Sequence, residues 1–313
     1  MADNSEEGHL VPRDHTPGAD DQVLVSVIIP AFNRIELLGR AVSSALNQTC
    51  VDLEVLVVDD GSKEDVPSAL RPFDDKRLRY HRRDANQGIS AARNYAASLS
   101  RAKYLAFLDS DDEWMPEKIA SQLARLSLKG PQYRACYTKV TAIDDTTGKP
   151  LFTTDFDKEG DLLSDLLYEP KMTTSSLMLE RELLEEVGGF DERIHFGEDW
   201  DLYLRLTQHS PFACAPEALT LYHIHDRGRA TDNMDRNPLI VRSFSTLFEN
   251  NQRLFHTDRR AWSRFLVQMG YYQASGGQRR AAMGSFLRAV IHDPLEKSAY
   301  LSIARLIKGW KTS

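Results

Sequence analysis

The sequence predicts an α/β protein with a mostly parallel central sheet flanked by helices, followed by an all-helical C-terminal extension. Three observations carry that expectation. Runs rich in β-branched residues alternate with helical patterns over about a hundred residues after Val23. Two of those runs, "VLVVDDGS" and "YLAFLDSDDEW", end in acids. From about Asn237 onward every pattern is helical. With 313 residues, 42% hydrophobic and 27% charged, the chain has room for one large unit or two smaller ones and the composition of an ordinary globular protein.

The first 22 residues are polar and acidic, contain Pro and Gly, and read as a disordered leader. "VLVSVIIP" is the kind of continuous apolar strand that is covered on both faces, and "LLGRAVSSALNQ" follows with helical spacing. "LEVLVV" repeats the strand, and "EDVPSALRPF" is a short helix or turn. "RLRYHRR" is a third strand, "GISAARNYAASLS" an Ala-rich helix and "KYLAFLD" a fourth strand. Pro116 opens the helix "PEKIASQLARLSL". After it, "YRACYTKVTAID", "TSSLMLER" and "ALTLYHIH" read as strands, "RELLEEVGGF" as a short helix closed by Gly188 and Gly189, and "EDWDLYLRLTQH" as an amphipathic helix.

The expected organisation is a leader at 1–22, an α/β domain at 23–236 and a helical region at 237–313. The α/β domain divides into a half at 23–130 and a mixed half at 131–236. In the tail, Gly270, Ala282, Phe286, Ala289 and Pro294 match the spacing of one tetratricopeptide hairpin. A lone unit of that kind cannot bury its own faces, so docking on the body or on a partner is expected.

Bulk properties exclude several classes. A net charge of -7 speaks against non-specific nucleic-acid binding. Three scattered cysteines, Cys50, Cys136 and Cys214, have no zinc or CxxC spacing and suit a reducing compartment. No run reaches the roughly 18 to 20 apolar residues of a transmembrane helix, and the N-terminus lacks the apolar core of a signal peptide. A cytoplasmic protein is expected.

Ligands of doubly wound sheets sit beyond the carboxyl ends of the strands, which is where Asp59, Asp60 and Asp109 to Asp112 fall. Clustered carboxylates raise one another's pKa unless a cation sits among them, and Mg²⁺ or Mn²⁺ bound by one or two carboxylates and phosphate oxygens would resolve the conflict. The competing reading is that Asp111 to Glu113 merely favour the start of the next helix. A P-loop is excluded because GxxxxGK[ST] is absent, and the first strand ends in "PAFNR" rather than the GxGxxG of a dinucleotide site. An aspartyl phosphotransferase remains open on these residues.

"VSVIIPAFNR", "EVLVVDDGS", "NQGISAARNYA", "YLAFLDSDDEWMP" and "GEDWDLYLRL" occur in the order and approximate spacing of glycosyltransferase family 2, which the chain resembles over residues 24 to 230. The resemblance implies the Rossmann-like GT-A fold and an inverting transfer of sugar from a nucleotide diphosphate. It implies that Pro30, Ala31 and Phe32 line the base and ribose, and that Asp60 bonds the uracil or an equivalent base, with Asp59 in support. Arg93 would reach into the nucleotide site, with Asn94 less firmly carried over. Asp109 and Ser110 would face the nucleotide and Asp111 the metal, Mn²⁺ or Mg²⁺. Asp112 has no assigned role in this reading.

By the same resemblance Asp199 is the general base that takes the acceptor hydroxyl's proton, and Glu198 orients the base or the acceptor. Trp200 would stack on an acceptor sugar; Trp114 would wall the sugar or serve as a core aromatic. His225 would approach the metal or diphosphate, with Arg227 or Arg229 neutralising the leaving group. On a regular strand His223 shares the face of His225. Without the family, Glu198, Asp199 and Asp201 are acids favoured by a helix N-terminus.

The implied partners are a nucleotide-sugar donor, a UDP-sugar first among them, and a glycan, lipid-linked or protein acceptor in polysaccharide or glycoconjugate biosynthesis. A lipid-linked acceptor would bring the protein to the inner face of the membrane as a peripheral protein, and two copies could pair through the C-terminal helices. The alternative from another class is a non-catalytic glycosyltransferase-like scaffold acting through the helical tail.

Overall fold

A computed structural model describes residues 23–225 and 238–309 of the chain. The leader, Arg227, Arg229 and the junction near residue 236 lie outside the described residues. β1 (Val25–Ala31) is buried along its whole length, and α1 (Ile35–Leu46) turns Leu37, Leu38, Ala41, Val42 and Ala45 inward. β2 (Leu53–Asp59) runs parallel to β1, with Val25 beside Leu53 and Ala31 beside Asp59. The short α2 (Val66–Leu70) starts at Asp65, whose carboxylate accepts the Ser68 N–H. β3 (Leu78–Arg82) forms the outer edge on β2.

α3 (Ile89–Leu99) buries Ser90, Ala91, Ala92, Arg93 and Ala96, small residues apart from the arginine. β4 (Tyr104–Phe107) lies on the other side of β1. The three pairings among β1 to β4 are all parallel, so the strands deliver their carboxyl ends, and the acids that follow them, to one edge of the sheet.

Beyond β4 the sheet turns antiparallel in part. The elements that follow are β5 (Glu113–Trp114), α4 (Lys118–Lys129), β6 (Ala135–Asp144), β7 (Lys149–Thr153) and α5 (Leu163–Leu166). A 3₁₀ turn at Thr174–Ser176, β8 (Met178–Glu180), α6 (Arg181–Glu186), α7 (Glu198–Leu206) and β9 (Phe212–Ile224) complete the body. Among the described residues the order is β3-β2-β1-β4-β8-β6-β9-β5, with β7 beside β6. β8 is antiparallel to both β4 and β6, and only β6 and β9 restore a parallel pairing.

The reason lies in the connections, because a parallel neighbour needs a long crossover whereas a tight turn returns the chain antiparallel. β6 and β7 are joined by such a turn, in which the Asp144 carboxylate accepts the Thr146 and Thr147 N–H groups. β7 is exposed at every position, so it offers no apolar run to a sequence reading.

The tail consists of α8 (Pro238–Phe255), α9 (Arg259–Ser275), α10 (Arg279–His292) and α11 (Lys297–Ile307). Asp258 caps α9 by accepting the Arg260 and Ala261 N–H groups. Gly270 explains itself: a Cβ there would lie 2.4 Å from the Phe286 ring, so glycine is what lets α9 and α10 close. The tail joins the body through aromatic rings, with Trp200 of α7 6.2 Å from Phe244 and 5.9 Å from Phe265, centroid to centroid.

Beside those rings a polar clasp forms around Asp201, which is fully buried. Its carboxylate accepts from Arg205 Nε at 2.8 Å, Asn250 Nδ2 at 2.9 Å and Asn251 Nδ2 at 2.8 Å. Removing it takes the shared acceptor from the half-buried Arg205 guanidinium and from the amides of Asn250 and buried Asn251. Asp201→Ala is therefore expected to lower unfolding stability by about 3 kcal/mol in urea titration and to speed amide exchange in α8. Unchanged exchange in α8 would show that the clasp does not hold the tail.

Candidate active site

The parallel strand ends open on a cleft of about 410 Å³. That lies within the range of roughly 300–1,000 Å³ common for small-molecule sites. Of the sequence-derived residues, Pro30, Ala31, Phe32, Asp60 and Ser110 line it together; Asn33, Arg34, Asn86 and Ile89 line it too and were not expected. Two larger hollows, about 470 Å³ between α9 and α11 and about 490 Å³ around Asn94 and Gly188, lack the strand-end acids.

The cleft's floor is built by stitching one strand end to the next. Asn33, in the left-handed region at φ 47°, accepts the Lys63 N–H on Oδ1 and donates its own N–H to Ser62 Oγ. Asp59 is wholly occupied inside, accepting the Ser62 N–H and the Tyr80 hydroxyl. Asp60 accepts the Gly88 N–H at 2.8 Å, the Gln87 N–H at 3.0 Å and Arg83 Nη1 at 3.0 Å, and so fixes the loop that starts α3. Gly61, at φ 74°, permits this because a Cβ would lie 2.8 Å from the Ala85 carbonyl carbon and the Asn86 nitrogen.

Arg93 is 1% exposed, although its helix pattern alone would put it in solvent. Its Nη2 donates to Asp109 Oδ1 at 2.6 Å and its Nη1 to Glu198 Oε1 at 2.9 Å, with the guanidinium 5.1 Å from the Phe190 ring centroid. Burial opposes its charge, but Asp109 and Glu198 overcome that and hold the group above its ordinary range. Arg93 is thus a bridge beneath the site between the end of β4 and the start of α7, rather than a group projecting into the cleft. Asn94 is likewise turned away, clasping the Phe190 backbone through both its amide atoms.

The remaining strand-end acids each have their own partner. Asp111 Oδ2 accepts Arg34 Nη1 at 2.8 Å and lies 3.2 Å from His225 Nε2. Arg40 donates to the Asp111 carbonyl and to Asp145. Buried Asp112 accepts the Ser175 hydroxyl at 2.5 Å and the His223 N–H at 3.4 Å, tying the 3₁₀ turn and β9 together. Its burial, then Asp109 and Asp111, push its carboxyl well above the usual range. His223 meets Asp145 and Glu113 instead of Asp111.

At the first turn of α7 Asp199 is half-buried, and its carboxyl is pushed up to about 7 by desolvation and then by the charge of Glu198. The Trp200 N–H, bonded to Asp199 Oδ1 at 2.7 Å, and Arg93 pull the other way. Trp200 itself corrects the stacking expectation. It is 3% exposed, its indole N–H donates to the Leu166 carbonyl, and its ring belongs to the aromatic core with Phe244 and Phe265. Trp114 is also core, donating to the Ser175 carbonyl under the Lys118 ammonium.

For a divalent cation the convergent donors are Asp111 Oδ2, a carboxylate oxygen of the kind that suits Mn²⁺ or Mg²⁺, and His225 Nε2, an imidazole that disfavours the harder Mg²⁺. Among the described residues no group of three or more His, Cys, Asp or Glu forms a metal cage. Arg34 and Ser175 escaped sequence reasoning. Arg34 sits directly after "AFN" with no periodic signal, and Ser175 lies in a hydroxyl-rich run far from the acids it serves.

Comparison with known proteins gives this geometry its context. The family model described as glycosyl transferase family 2 matches residues 26–188. Chondroitin synthase of Escherichia coli is 33% identical over 201 residues, covering 60% of this chain and 27% of that protein. The chain spans less than two thirds of the length of the curated relatives first matched. TarS 1-349 of S. aureus in complex with UDP-GlcNAc superposes at a TM-score of 0.70 with 16% identity, covering 91% of this chain and 88% of that one. The mannosyltransferase PcManGT from Pyrobaculum calidifontis, in complex with GDP-Man and Mn²⁺, gives a TM-score of 0.58 at 17% identity, with 96% and 92% covered. At such identities the likeness is one of fold.

The Arg93 bridge yields a direct test. Arg93→Met keeps most of the side-chain volume but leaves Asp109 and Glu198 without their cation, and is expected to cost about 3–5 kcal/mol of unfolding stability. Urea titration measures it. A loss below about 1 kcal/mol, the size of an exposed ion pair, would mean that the bridge is not the buried clamp described.

Proposed function

The chain belongs to glycosyl transferase family 2, and on that premise we propose that it is an inverting, metal-assisted glycosyltransferase. It moves a sugar from a nucleotide diphosphate, a UDP-sugar first among the candidates, to a hydroxyl acceptor in polysaccharide or glycoconjugate biosynthesis. The observation that carries this reading is the Asp109–Arg93–Glu198 bridge, which couples the strand-end acids to the helix bearing Asp199.

In this reading the cleft between Phe32 and Ile89 takes the nucleotide, and Ser110 and Asp109 meet the ribose end. Asp111 and His225 would hold the divalent cation, which when bound offsets the negative charge of the departing diphosphate. Arg34, beside Asp111 in the cleft wall, is positioned for phosphate oxygens. Asp199 takes the proton of the acceptor hydroxyl as its oxygen bonds to the anomeric carbon from the face opposite the breaking C1–O bond, so the configuration inverts. Glu198, held by Arg93, keeps that base in register and raises its affinity for a proton. The two structural neighbours were solved with different nucleotides, so the fold leaves the base open, and the contacts of Phe32, Asn86 and Asp60 would select it.

Three outcomes test the reading. In calorimetric titration with UDP, GDP, dTDP, CMP and ADP, one nucleotide should bind in a Mn²⁺-dependent way and Asp111→Asn should lose that dependence. Failure of all five with and without metal would favour a non-catalytic scaffold. Asp199→Asn should leave nucleotide binding intact while lowering transfer by about 10²–10⁴-fold; full activity would exclude Asp199 as base. Because a base must be deprotonated, and Asp199 is pushed up to about 7, kcat/KM should fall with unit slope below that pH. A limb near pH 4, where an unperturbed carboxyl titrates, would mean another group is the base.

A further inference from the structure

The tail is basic although the whole chain is acidic. Residues 238–309 hold eleven Lys and Arg against four Asp and Glu, in a chain of net charge -7. α10 buries Ala282, Ser285, Phe286 and Ala289, so the helical repeat sets Arg280, Leu287, Arg288 and Ile291 on the opposite side. α11 buries Ala299, Ser302 and Leu306, leaving Lys297, Leu301, Arg305 and Lys308 outward. Leu295 stands between the two helices, and exposure of these leucines and Ile291 runs from 49% at Leu287 to 80% at Leu295. The two acids of this stretch are engaged with backbone: Asp293 accepts the Leu295 N–H and Glu296 the Ser298 N–H.

We propose that this outer face of α10 and α11 docks the protein on an anionic bilayer surface. Leu287, Ile291 and Leu295 enter the boundary between headgroups and acyl chains, and the flanking Arg and Lys side chains meet lipid phosphates. The occupant follows from the pattern. A protein interface gathers apolar side chains into a core depleted of charge, whereas here basic and apolar residues are interleaved along the exposed sides of both helices. A nucleic acid would use the cations and leave the aliphatic side chains in water. No helix among the described residues is long and apolar enough to cross a membrane, so the contact is one of lying on the surface. The proposal stands apart from the sugar-transfer reading and survives its failure.

Flotation of the full chain with vesicles tests it. Phosphatidylcholine vesicles containing phosphatidylglycerol should carry the protein up, pure phosphatidylcholine vesicles should not, and added salt should release it. Each basic residue near an anionic surface is worth about fivefold in partitioning, so Arg280→Gln with Arg288→Gln should weaken binding about twenty-five-fold. Leu295→Trp, at a site exposed enough to spare the fold, should shift its emission to the blue on anionic vesicles. Equal flotation with both lipids, unchanged partitioning of the double variant, or no blue shift would overturn the proposal. So would a lipid-free dimer in which the Leu295→Trp indole is already shielded, or binding to an oligonucleotide in place of vesicles.

Discussion

The site depends on one buried cation. The Arg93 guanidinium is sealed under the cleft with a carboxylate on each side, one from the end of β4 and one from the start of α7. Neither neighbouring stretch is fixed by sheet hydrogen bonding at that point, since Asp109 lies past the last residue of β4 and Glu198 opens its helix. A lysine would offer a single point charge, whereas the planar fork of arginine spans two carboxylates at once. Burial makes the bridge costly to assemble and equally costly to break, which is how a contact of this kind fixes geometry more than it adds stability.

Around that cation the crowd of strand-end acids divides its labour. Asp109 answers to Arg93, Asp111 to Arg34 and His225, and Asp112 to Ser175 and the β9 backbone. Among these three, Asp111 has two side-chain partners, Arg34 and His225, on one oxygen, and the proposed reading gives it the cation. Asp112 is pushed the other way, toward holding its proton, and serves to tie the 3₁₀ turn to the sheet edge. Three similar residues thus acquire different chemistry from burial and neighbours alone.

What the sequence made legible follows from where its information is local. The apolar runs of β1, β2 and β4 and the acids at their ends are set by short-range pattern and chain order, whereas the cleft residues Pro30, Ala31, Phe32, Asp60 and Ser110 are named through the resemblance to glycosyltransferase family 2. The burial of Arg93 is not, because its partners are 16 and 105 residues away and helix periodicity carries no record of them. Trp200 misled for the same reason: the rings that enclose it, Phe244 and Phe265, lie in the tail, outside the motif that suggested a sugar platform. β7 has no buried face and β5 has two residues, so neither generates a period. Pattern reports that a strand exists and says little about its direction, so the antiparallel pairings of β8 with β4 and β6 have no signal of their own beyond a mixed half.

The acidity of Asp199 joins the site to the tail. A carboxylate in the first turn of a helix gains from the macrodipole and from a backbone N–H, and both favour its charged form. The carboxyl is instead pushed up, because desolvation and the charge of Glu198 outweigh them. Desolvation on that helix is secured partly by the tail: Trp200 is packed against Phe244 and Phe265, and Asp201 is clasped by Asn250 and Asn251. The helical extension therefore buries the Trp200 and Asp201 side of the helix whose first turn carries Asp199.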